Sequence, residues 1–388
     1  MRTVDLFCGC GGMSLGFQAA EYELVAAFEN WDFAANCYRN NFHHPVFEND
    51  LSNVTEAINA IRPLRPEVII GGPPCQDFSN AGNREEGERA NLTLSFAQIV
   101  CAVSPRYFVM ENVGRAAESN AYAEARSLFI KHGYGLTERV LNASYFGVPQ
   151  RRKRFFCIGI LGAEENALDS LLTSDQSILP MTVRQYYQQQ HLPLPFEHYY
   201  RHPRTYRRRG IFSVDEPAPT IRGVNRPRPA QYQRHAADSA APEDVRAMTL
   251  RERATIQTFP ATFILPDASA KAEQIVGNAV PVKLAEHVAS CLMQYARGQA
   301  NEHDIRFTDW LINRKNYTLR AASDVLSRIK RANAIVEIEN NNLHETLRLL
   351  DASPIFAQIN ASVRSQIRRA IRLYHEYTTR EENAEHDI

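Results

Sequence analysis

A cysteine stands at a stiff point of the chain. The stretch "VIIGGPPCQDFSN" spans residues 68–80, where an apolar, β-branched run ends at two glycines and two prolines and Cys75 follows at once. Pro73 and Pro74 fix their own φ angles, so the thiol is held in one direction. A thiolate is a strong nucleophile, but a thiol of ordinary pKa is little ionised near neutrality. A lone cysteine is more often inert, so the chemistry of Cys75 depends on its neighbours.

A glycine-rich turn near the N-terminus has the composition of a nucleotide site. The stretch "DLFCGCGGMSLGF" places four glycines between a predicted strand and a predicted helix: Gly9, Gly11, Gly12 and Gly16. Glycines allow a tight turn and close approach to a ligand, and the helix N-terminus offers free N–H groups. Their spacing differs from the G-x-G-x-x-G of NAD sites, and no G-K-[ST] follows. Glu29, after the second predicted strand, stands where a ribose-binding carboxylate belongs, although an incidental surface acid would read the same.

The elements around these residues alternate between strand and helix. Apolar runs "TVDLF", "LVAAFEN", "EVIIGG", "RYFVMENV" and "RFFCIGIL" are separated by helical patterns such as "MSLGFQAA" and "FAANCYRNNF". This alternation predicts an α/β fold with a doubly wound, mostly parallel, Rossmann-like sheet. Ligands of such sheets bind outside the carboxyl ends of the strands. Cys75 and Glu111 are therefore expected on the same rim as the glycine turn.

Composition limits the class of protein. The 388 residues carry a net charge of zero, with 44% hydrophobic and 23% charged residues, which is ordinary for a globular chain. Any attraction to nucleic acid must then come from local clusters of charge. The seven cysteines lack a C-x-x-C pair, which argues against a disulfide framework or structural zinc and favours a reducing cytoplasm. The sequence has no apolar run long enough for a transmembrane helix, and no room for a signal peptide is expected before the first strand.

The second half of the chain changes character twice. Residues 163–245 show little periodicity, and 199–235 contain nine arginines, no lysine and two acids. Regular patterns return in "TLRERATIQTF" and in the helical "AVPVKLAEHVASCLMQYA". Past a polar joint at 297–304, "LRAASDVLSRIKRANAIVEI" and "INASVRSQIRRAIRLYHEY" predict amphipathic helices. A small helical bundle is the simplest interpretation of this tail; an accessory DNA clamp or a partner contact are the alternatives.

Eight ordered motifs together carry a family resemblance. They run from residue 5 to residue 282: "DLFCGCGGMSLGF", "FEN", "ND", "GGPPCQDFS", "ENV", "QRRKRFF", "RERATIQTFP" and "GNAVPV". In this order they resemble the C5-cytosine DNA methyltransferases of bacterial restriction-modification systems, which use S-adenosylmethionine. The resemblance implies the S-adenosylmethionine-dependent version of the Rossmann-like fold. It also implies a small irregular target-recognition domain, and the tail then becomes a C-terminal α-helical extension.

The resemblance implies a catalytic set of four residues: Cys75, Glu111, Arg152 and Arg154. Cys75 would add to C6 of cytosine, and Glu111 would hydrogen-bond or protonate N3. Arg154 would contact O2 of the base, while Arg152 would contact phosphate or support the thiol loop. Gln76 and Asn112 would be structural supports. Because the thiol must approach the face of the base, the cytosine has to be flipped out of the duplex.

The resemblance also implies a cofactor site for S-adenosylmethionine, with S-adenosylhomocysteine as product and no metal. The cofactor-binding residues it assigns are Phe7, Gly9, Gly11, Glu29, Trp31, Asp50 and Asn278. The first three would surround the methionine portion, Glu29 the ribose hydroxyls and Asp50 the adenine amino group. This sequence departs from the family where a bulky residue often follows the ribose glutamate, because Asn30 stands there. Trp31, one position later, either turns inward onto the adenine or is an ordinary core residue.

Four regions follow from the resemblance. They are an S-adenosylmethionine-binding catalytic domain (1–162), a target-recognition region (163–240), a return to the catalytic domain (241–300) and a helical extension (304–388). The arginine cluster falls in the recognition region, where arginines can contact phosphates and guanine edges. The DNA-binding residues expected are Gln150, Arg207, Arg208, Arg209, Thr220, Arg222 and Arg226.

The sequence thus predicts a DNA (cytosine-5)-methyltransferase acting on double-stranded DNA. A monomer is expected, bacterial, cytoplasmic and associated with the nucleoid, without membrane contact. It would be paired in function with a restriction endonuclease, by family habit. Two alternatives stay open: a tRNA-directed cytosine-5 methyltransferase, and a catalytically idle DNA-binding protein on the same scaffold.

Overall fold

A computed structural model describes residues 1–74, 92–203, 205, 208–298, 302–338 and 342–386. Cys75, Gln76 and Arg207 lie outside the described residues. The chain divides into two compact units. The first comprises Met1–Glu165 and Met181–Ala289, and the second comprises Asn166–Pro180 and Ser290–Ile388. The segment 166–180, expected in the recognition region, is thus grouped with the tail.

The described residues form eleven strands, of which five follow the predicted apolar runs. They are β1 (Arg2–Leu6), β2 (Glu23–Phe28), β3 (Val46–Phe47), β4 (Val68–Gly71), β5 (Tyr107–Asn112), β6 (Tyr134–Asn142), β7 (Gln150–Arg151), β8 (Lys153–Leu161), β9 (His198–Tyr200), β10 (Ile211–Ser213) and β11 (Ala218–Pro219). Seven of them form one sheet in the order β3-β2-β1-β4-β5-β8-β6. Strand β8 runs antiparallel to both of its neighbours, and the other pairs are parallel. The predicted doubly wound, mostly parallel sheet is confirmed.

The helices connect and flank these strands. They are α1 (Gly12–Ala19), α2 (Asp32–Arg39), α3 (Val54–Ile61), α4 (Leu92–Val103), α5 (Asn120–Lys131), α6 (Asp169–Ser174), α7 (Val183–Gln189), α8 (Leu250–Ile256), α9 (Ala270–Asn278), α10 (Val282–Ala296), α11 (Glu302–Lys315), α12 (Leu319–Asn333), α13 (Leu343–Ala352), α14 (Pro354–Ala357) and α15 (Ala361–His386). Helices cover both faces of a parallel sheet, so its central strands are mostly apolar. All six residues of β5 are buried, and Phe108 from this strand stacks on Phe129 of α5 at 4.2 Å between ring centroids.

The chain returns to its own beginning after the recognition region. The Cys10 thiol donates to the carbonyl oxygen of Ile275 in α9 at 3.5 Å, and the Tyr22 hydroxyl donates to the carbonyl oxygen of Ala289 at 3.0 Å. A Cβ atom at Gly12 would lie 2.3 Å from the carbonyl oxygen of Val280, so only glycine admits this approach. Helix α9 therefore closes over the first βα turn.

Between these segments the first unit contains short elements only. Strands β9 and β10 pair antiparallel, and β11 pairs parallel with β7. Helix α7 begins with a capping box in which Thr182 and Gln185 satisfy each other's backbone N–H groups. A small core of its own holds this region together, with Tyr186, Tyr199 and Ile221 among its buried residues.

The second unit is helical. The amphipathic patterns of the tail form α12 and α15, while α11, α13 and α14 were not predicted individually. Their core includes the fully buried Phe307, on which Tyr374 and Tyr377 pack at 5.3 and 5.2 Å between ring centroids. Over the described part of the chain, no helix combines the length and apolar character needed to cross a membrane.

Candidate active site

A cavity of about 770 Å³ lies at the carboxyl ends of the central strands. Its walls include the residues that follow β1, β2, β4 and β5, together with the end of α9. The glycine turn and Glu111 therefore share one rim, as the sheet topology predicts. The predicted residues that line this cavity are Phe7, Gly9, Glu29, Trp31, Glu111, Arg154 and Asn278.

The first βα turn has a strained backbone. Phe7 has φ 58°, in the left-handed region that non-glycine residues avoid, and Gly9 follows with φ 55°. A Cβ atom at Gly9 would meet nothing within 4 Å, so the turn leaves open space at the cavity. Gly11 has another role: it has φ 93° and does not line the cavity, and a Cβ there would meet the Phe42 ring at 2.3 Å.

Glu29 is held by the backbone of this turn. One carboxylate oxygen accepts a hydrogen bond from the N–H of Gly9 at 2.8 Å and the other accepts from Trp31 at 2.9 Å. Burial raises the pKa of Glu29, and these N–H donors partly offset that effect. Each oxygen keeps a second lone pair, so the carboxylate can still accept from a ligand hydroxyl.

A second pocket, of about 390 Å³, continues past Glu29. Phe7, Glu29, Trp31 and Pro74 line both spaces, and Asp50 lines only the second. Trp31 thus faces the cavity despite its shifted position in the motif. Strand β3 ends at Phe47, so the exposed Asp50 lies in the turn beyond it, where it accepts from the N–H of Ser52 at 2.9 Å.

Glu111 and Arg154 form an ion pair on the opposite wall. Arg154 Nε lies 2.7 Å from a Glu111 carboxylate oxygen, and Glu111 is only 7% exposed. Burial raises the pKa of Glu111, whereas the charges of Arg154 and Arg152 act to lower it. On balance the pKa of Glu111 is raised, so this carboxyl group takes up a proton at a higher pH than a surface glutamate does.

The backbone leading to Cys75 is tied to β5. Asn112 donates from its side-chain amide to the carbonyl oxygen of Pro73 at 3.1 Å, and its side-chain oxygen accepts from the N–H of Val113 at 2.8 Å. This contact agrees with the supporting role expected for Asn112. Pro73 and Pro74 line the cavity beside Glu111, so the described chain ends there on the catalytic rim.

Arg152 is placed differently from the sequence expectation. It is 1% exposed and donates to the carbonyl oxygens of Ile221, Gly277 and Ala279 at 2.8, 3.0 and 2.9 Å. Burial and the charge of Arg154 lower the pKa of Arg152. A guanidinium enclosed by these carbonyls cannot contact a phosphate, so that expectation is wrong. The side chain instead ties the recognition region to α9.

Gln150, expected to bind DNA, is also interior. It is fully buried, donates to Gln257 Oε1 at 2.7 Å and accepts from the N–H of Ile221 at 2.9 Å. Gln257 in turn donates to the carbonyl oxygen of Val276 at 2.8 Å. Direct contact between Gln150 and DNA is excluded in this arrangement, because both ends of its amide are satisfied inside the protein.

The remaining DNA-binding candidates surround a third space, of about 720 Å³. Seven arginines line it: Arg151, Arg152, Arg154, Arg201, Arg208, Arg209 and Arg222. Thr220 lines it too and donates to the carbonyl oxygen of Arg151 at 2.8 Å. Arg209 pairs with Glu216, Arg208 is exposed, and Arg226 is exposed outside this lining. This arginine-lined cavity shares Val113, Arg154, Gly277 and Asn278 with the first one.

One buried residue of the cavity wall belongs to the first motif but was given no role in the sequence analysis. Asp5, inside β1, is 1% exposed and lines the first cavity. The signal for it was an acid within an otherwise apolar strand. No group of three or more metal-ligating side chains occurs among the residues that the structure describes.

Comparisons with known proteins agree with this geometry. The family described as C-5 cytosine-specific DNA methylase matches residues 1–294. The Type II methyltransferase M.HindV of Haemophilus influenzae is 51% identical over 300 residues, which cover 76% of this chain and 98% of that protein. The Type II methyltransferase M.HgiDI of Herpetosiphon aurantiacus is 50% identical over 296 residues, covering 76% and 95%.

Solved structures of low sequence identity share the fold. The Dnmt2 methyltransferase of S. pombe superposes with a TM-score of 0.58 at 18% identity, covering 76% of this chain and 99% of that one. A putative DNA modification methyltransferase encoded in an E. coli prophage gives a TM-score of 0.54 at 20% identity, covering 76% and 99%. The family match spans most of the chain, and the residues it covers build the rim described above. The chain belongs to the C-5 cytosine-specific DNA methylase family.

Proposed function

We propose that this protein methylates C5 of a flipped-out cytosine within a short specific site of double-stranded DNA. The family and its Type II relatives make it a cytosine-5 DNA methyltransferase of the restriction-modification type. The observation that carries the finer proposal is the position of the Glu111–Arg154 pair. The pair lies at the boundary between the cavity that has Asp5, Glu29 and Glu111 in its walls and the cavity that is lined by arginines.

The first cavity fits S-adenosylmethionine. Its volume lies within the range of small-molecule sites, and it continues past a carboxylate that can accept from ribose hydroxyls. Phe7 and Gly9 would hold the methionine portion, Glu29 the ribose, and Trp31 and Asp50 the adenine. Asn278 would close the site from α9. When bound, the cofactor supplies an electrophilic methyl group on a sulfonium.

Cys75 is proposed as the nucleophile that opens the reaction. Its thiolate would form a bond to C6 of the cytosine, which moves electron density to C5. Glu111, with its raised pKa, would share a proton with N3 and so stabilise the charge that this addition creates. After C5 has been methylated, a base removes the C5 proton, the C6–S bond breaks and the thiolate leaves.

Arg154 is proposed to position both the base and the acid. Its ion pair with Glu111 fixes the carboxyl group, and its guanidinium group would also donate to cytosine O2 when the base enters the site. Arg152 would support this arrangement from the protein interior, where it donates to the carbonyl oxygens of residues 221 and 277–279.

Base flipping is supported by the shape of the rim. A base inside a duplex cannot present its face to a cavity at the end of a sheet, so the nucleotide must leave the stack at a cost of a few kcal/mol. The arginine-lined cavity would bind the phosphates on either side, and Arg208, Arg209, Arg222 and Thr220 are the described candidates for contact. In the cell, such methylation would protect host DNA from a restriction endonuclease of the same specificity.

One experiment tests chemistry and specificity together. Purified protein is incubated with S-adenosylmethionine and a plasmid of mixed sequence, and converted cytosines are mapped by bisulfite sequencing beside the Cys75→Ser variant. We expect 5-methylcytosine at one short recurring site, and only with Cys75 present. Methyl transfer to tRNA but not to the plasmid would contradict the substrate. DNA binding without transfer to either would favour the catalytically idle alternative.

A further inference from the structure

Asp5 is a buried acid with an incomplete set of partners. One carboxylate oxygen, Oδ2, accepts from Ser14 Oγ at 2.6 Å. The other, Oδ1, is buried and has no hydrogen-bond partner among the residues that the structure describes. Burying a carboxylate oxygen without a donor is costly. Because Asp5 forms part of the cofactor cavity wall, a ligand in that cavity is the natural complement to its charge.

A chain of hydrogen bonds leads away from this carboxylate. Ser14 Oγ lies 2.6 Å from Tyr38 Oη, which lies 2.8 Å from Nε2 of His44. Ser14 and Tyr38 are buried, whereas His44 is half-buried. Each hydroxyl donates one hydrogen bond and can accept others, so the whole chain can point its donors either towards Asp5 or towards His44. The first orientation suits an ionised Asp5 and the second a protonated one.

Among the residues that the structure describes, the titratable groups that face Asp5 carry no positive charge. Its titratable neighbours are Glu29, at the end of β2, the Cys8 thiol and the Tyr38 hydroxyl. Burial raises the pKa values of Cys8 and Tyr38 well above their usual range, so both stay neutral. Burial, with a smaller contribution from Glu29, raises the pKa of Asp5 to about 7. Burial lowers the pKa of His44, which leaves its imidazole neutral at the far end.

We propose that Asp5 distinguishes the methyl donor, which carries a positive charge at sulfur, from the product, which does not, and that Ser14, Tyr38 and His44 conduct the accompanying proton. This inference rests on the proposed use of S-adenosylmethionine. Donor and product differ by one positive charge at sulfur, and a carboxylate in the cavity wall favours the charged form. An ionised Asp5 therefore tightens donor binding, whereas a protonated Asp5 relaxes the preference and assists product release.

The hydrogen bonds from His44 to Asp5 account for every proton that moves in the proposed step. When the positive charge at sulfur is lost, one proton enters from solvent at Nδ1 of His44. The hydrogens of His44 Nε2, Tyr38 and Ser14 each move one place towards Asp5, which becomes protonated, and His44 ends as its other neutral tautomer. Binding of a new donor reverses these steps and releases one proton.

Isothermal titration calorimetry can test this without measuring catalysis. S-adenosylmethionine and S-adenosylhomocysteine are titrated into the full chain between pH 5.5 and 8, in two buffers of different ionisation enthalpy. As pH rises and Asp5 ionises, the product-to-donor ratio of Kd values should increase by roughly tenfold. Near the middle of this range, donor binding should release up to about half a proton more than product binding, because a tenfold change in the ratio corresponds to a shift of about one unit in the pKa of Asp5 between the two complexes.

Two variants separate Asp5 from other titrating groups. In Asp5→Asn the pH dependence of the ratio and the difference in released protons should disappear, and any remainder reports the amino groups of the ligands. Tyr38→Phe keeps the ring but interrupts the chain. It should retain the pH dependence with its midpoint moved to higher pH, because an ionised Asp5 loses support through Ser14.

Each of the remaining outcomes would contradict one specific part of the proposal. A wild-type ratio that is independent of pH, or an Asp5→Asn profile identical to the wild type, would overturn the role of Asp5. A Tyr38→Phe profile that coincides with the wild type would overturn the proton path, and this variant remains informative if Asp5→Asn does not fold. Failure of the wild type to bind either ligand at any pH would instead contradict the proposed function.

Discussion

The two large cavities of the first unit are alike in size and opposite in charge. The cofactor cavity of about 770 Å³ has Asp5, Glu29 and Glu111 in its walls, whereas seven arginines line its neighbour of about 720 Å³. They meet at Val113, Arg154, Gly277 and Asn278. In the proposed function, the cationic methyl donor would bind in the acidic cavity and the polyanionic substrate in the arginine-lined one, and the Glu111–Arg154 pair lies between them. The net charge of zero therefore conceals a strong local separation of charge.

The largest effect is expected at the junction of the cavities. Glu111→Gln should lower kcat by about a thousandfold, because general acid–base catalysis contributes on this scale. The Kd for S-adenosylmethionine should stay within about twofold, because Arg154 already balances the charge of Glu111 and the proposed ribose contacts belong to Glu29. Single-turnover methylation and calorimetry would measure the two quantities, with the exposed Glu118→Gln as matched control. If Glu111→Gln also weakened S-adenosylmethionine binding strongly, the prediction that Glu111 acts in catalysis and not in cofactor binding would be contradicted.

The second prediction compares the buried Arg152 with its neighbour Arg154 in their effects on stability and activity. Arg152→Met should lower the free energy of unfolding by about 3 kcal/mol, because it leaves several buried carbonyl oxygens without their charged donor. Arg154→Met should cost activity while changing stability much less. Urea denaturation of both variants would measure this difference. Equal destabilisation would mean that Arg154 belongs to the same structural network.

A smaller effect is expected within the cofactor cavity. Glu29→Gln should weaken S-adenosylmethionine binding by about tenfold, the scale of one charge-assisted hydrogen bond, with kcat at saturating cofactor little changed. Burial raises the pKa of Glu29, so the wild-type affinity should begin to fall at a higher pH than for an ordinary glutamate as the solution is acidified. Calorimetry over pH in an Asp5→Asn background, where Asp5 no longer titrates, would record that decline, and adding Glu29→Gln to this background should abolish it. A fall in kcat at saturation would assign Glu29 to the chemistry as well.

The smallest effect is expected on the arginine side. Arg208→Ala should weaken DNA binding a few-fold and reduce the slope of log Kd against log salt by about one phosphate contact. Arg184→Ala is the matched control, because Arg184 pairs with Glu197 and Asp215. Fluorescence anisotropy at several salt concentrations would distinguish them. Identical slopes for Arg208→Ala and the wild type would place Arg208 off the DNA path.

Local patterns were sufficient for the sheet and its rim. Apolar strands and a glycine turn are written in consecutive residues, so the positions of Gly9, Glu29 and Glu111 could be predicted. The burial of Arg152 could not, because its partners lie 69 to 127 residues away along the chain. The same holds for Gln150, whose partner Gln257 is 107 residues distant. A motif indicates that its residues belong to a functional site. It does not indicate whether a given side chain faces the ligand or is buried in the protein interior.

The helical tail was predicted only in part for the opposite reason: it has local helical patterns but no family motif. Two of its helices have a clear apolar stripe and were predicted, but the family match ends at residue 294 and supplies no motif beyond it. The core formed around Phe307 arises from aromatic residues of α11 and α15, which lie far apart in sequence. Packing of this kind depends on tertiary partners rather than on local periodicity.

The closure of α9 over the first turn has a consequence for how the protein is made. The contacts of Cys10 with Ile275 and of Tyr22 with Ala289 bridge 265 and 267 residues. At a synthesis rate of 5–20 residues per second, roughly 15 to 50 s separate the emergence of their two halves from the ribosome. Throughout that interval the nascent sheet lacks one wall of its cofactor cavity. Its earliest stability must therefore come from the packing and hydrogen bonds of the strands and helices already made, and ligand binding can stabilise the enzyme only after nearly three quarters of the chain has been made.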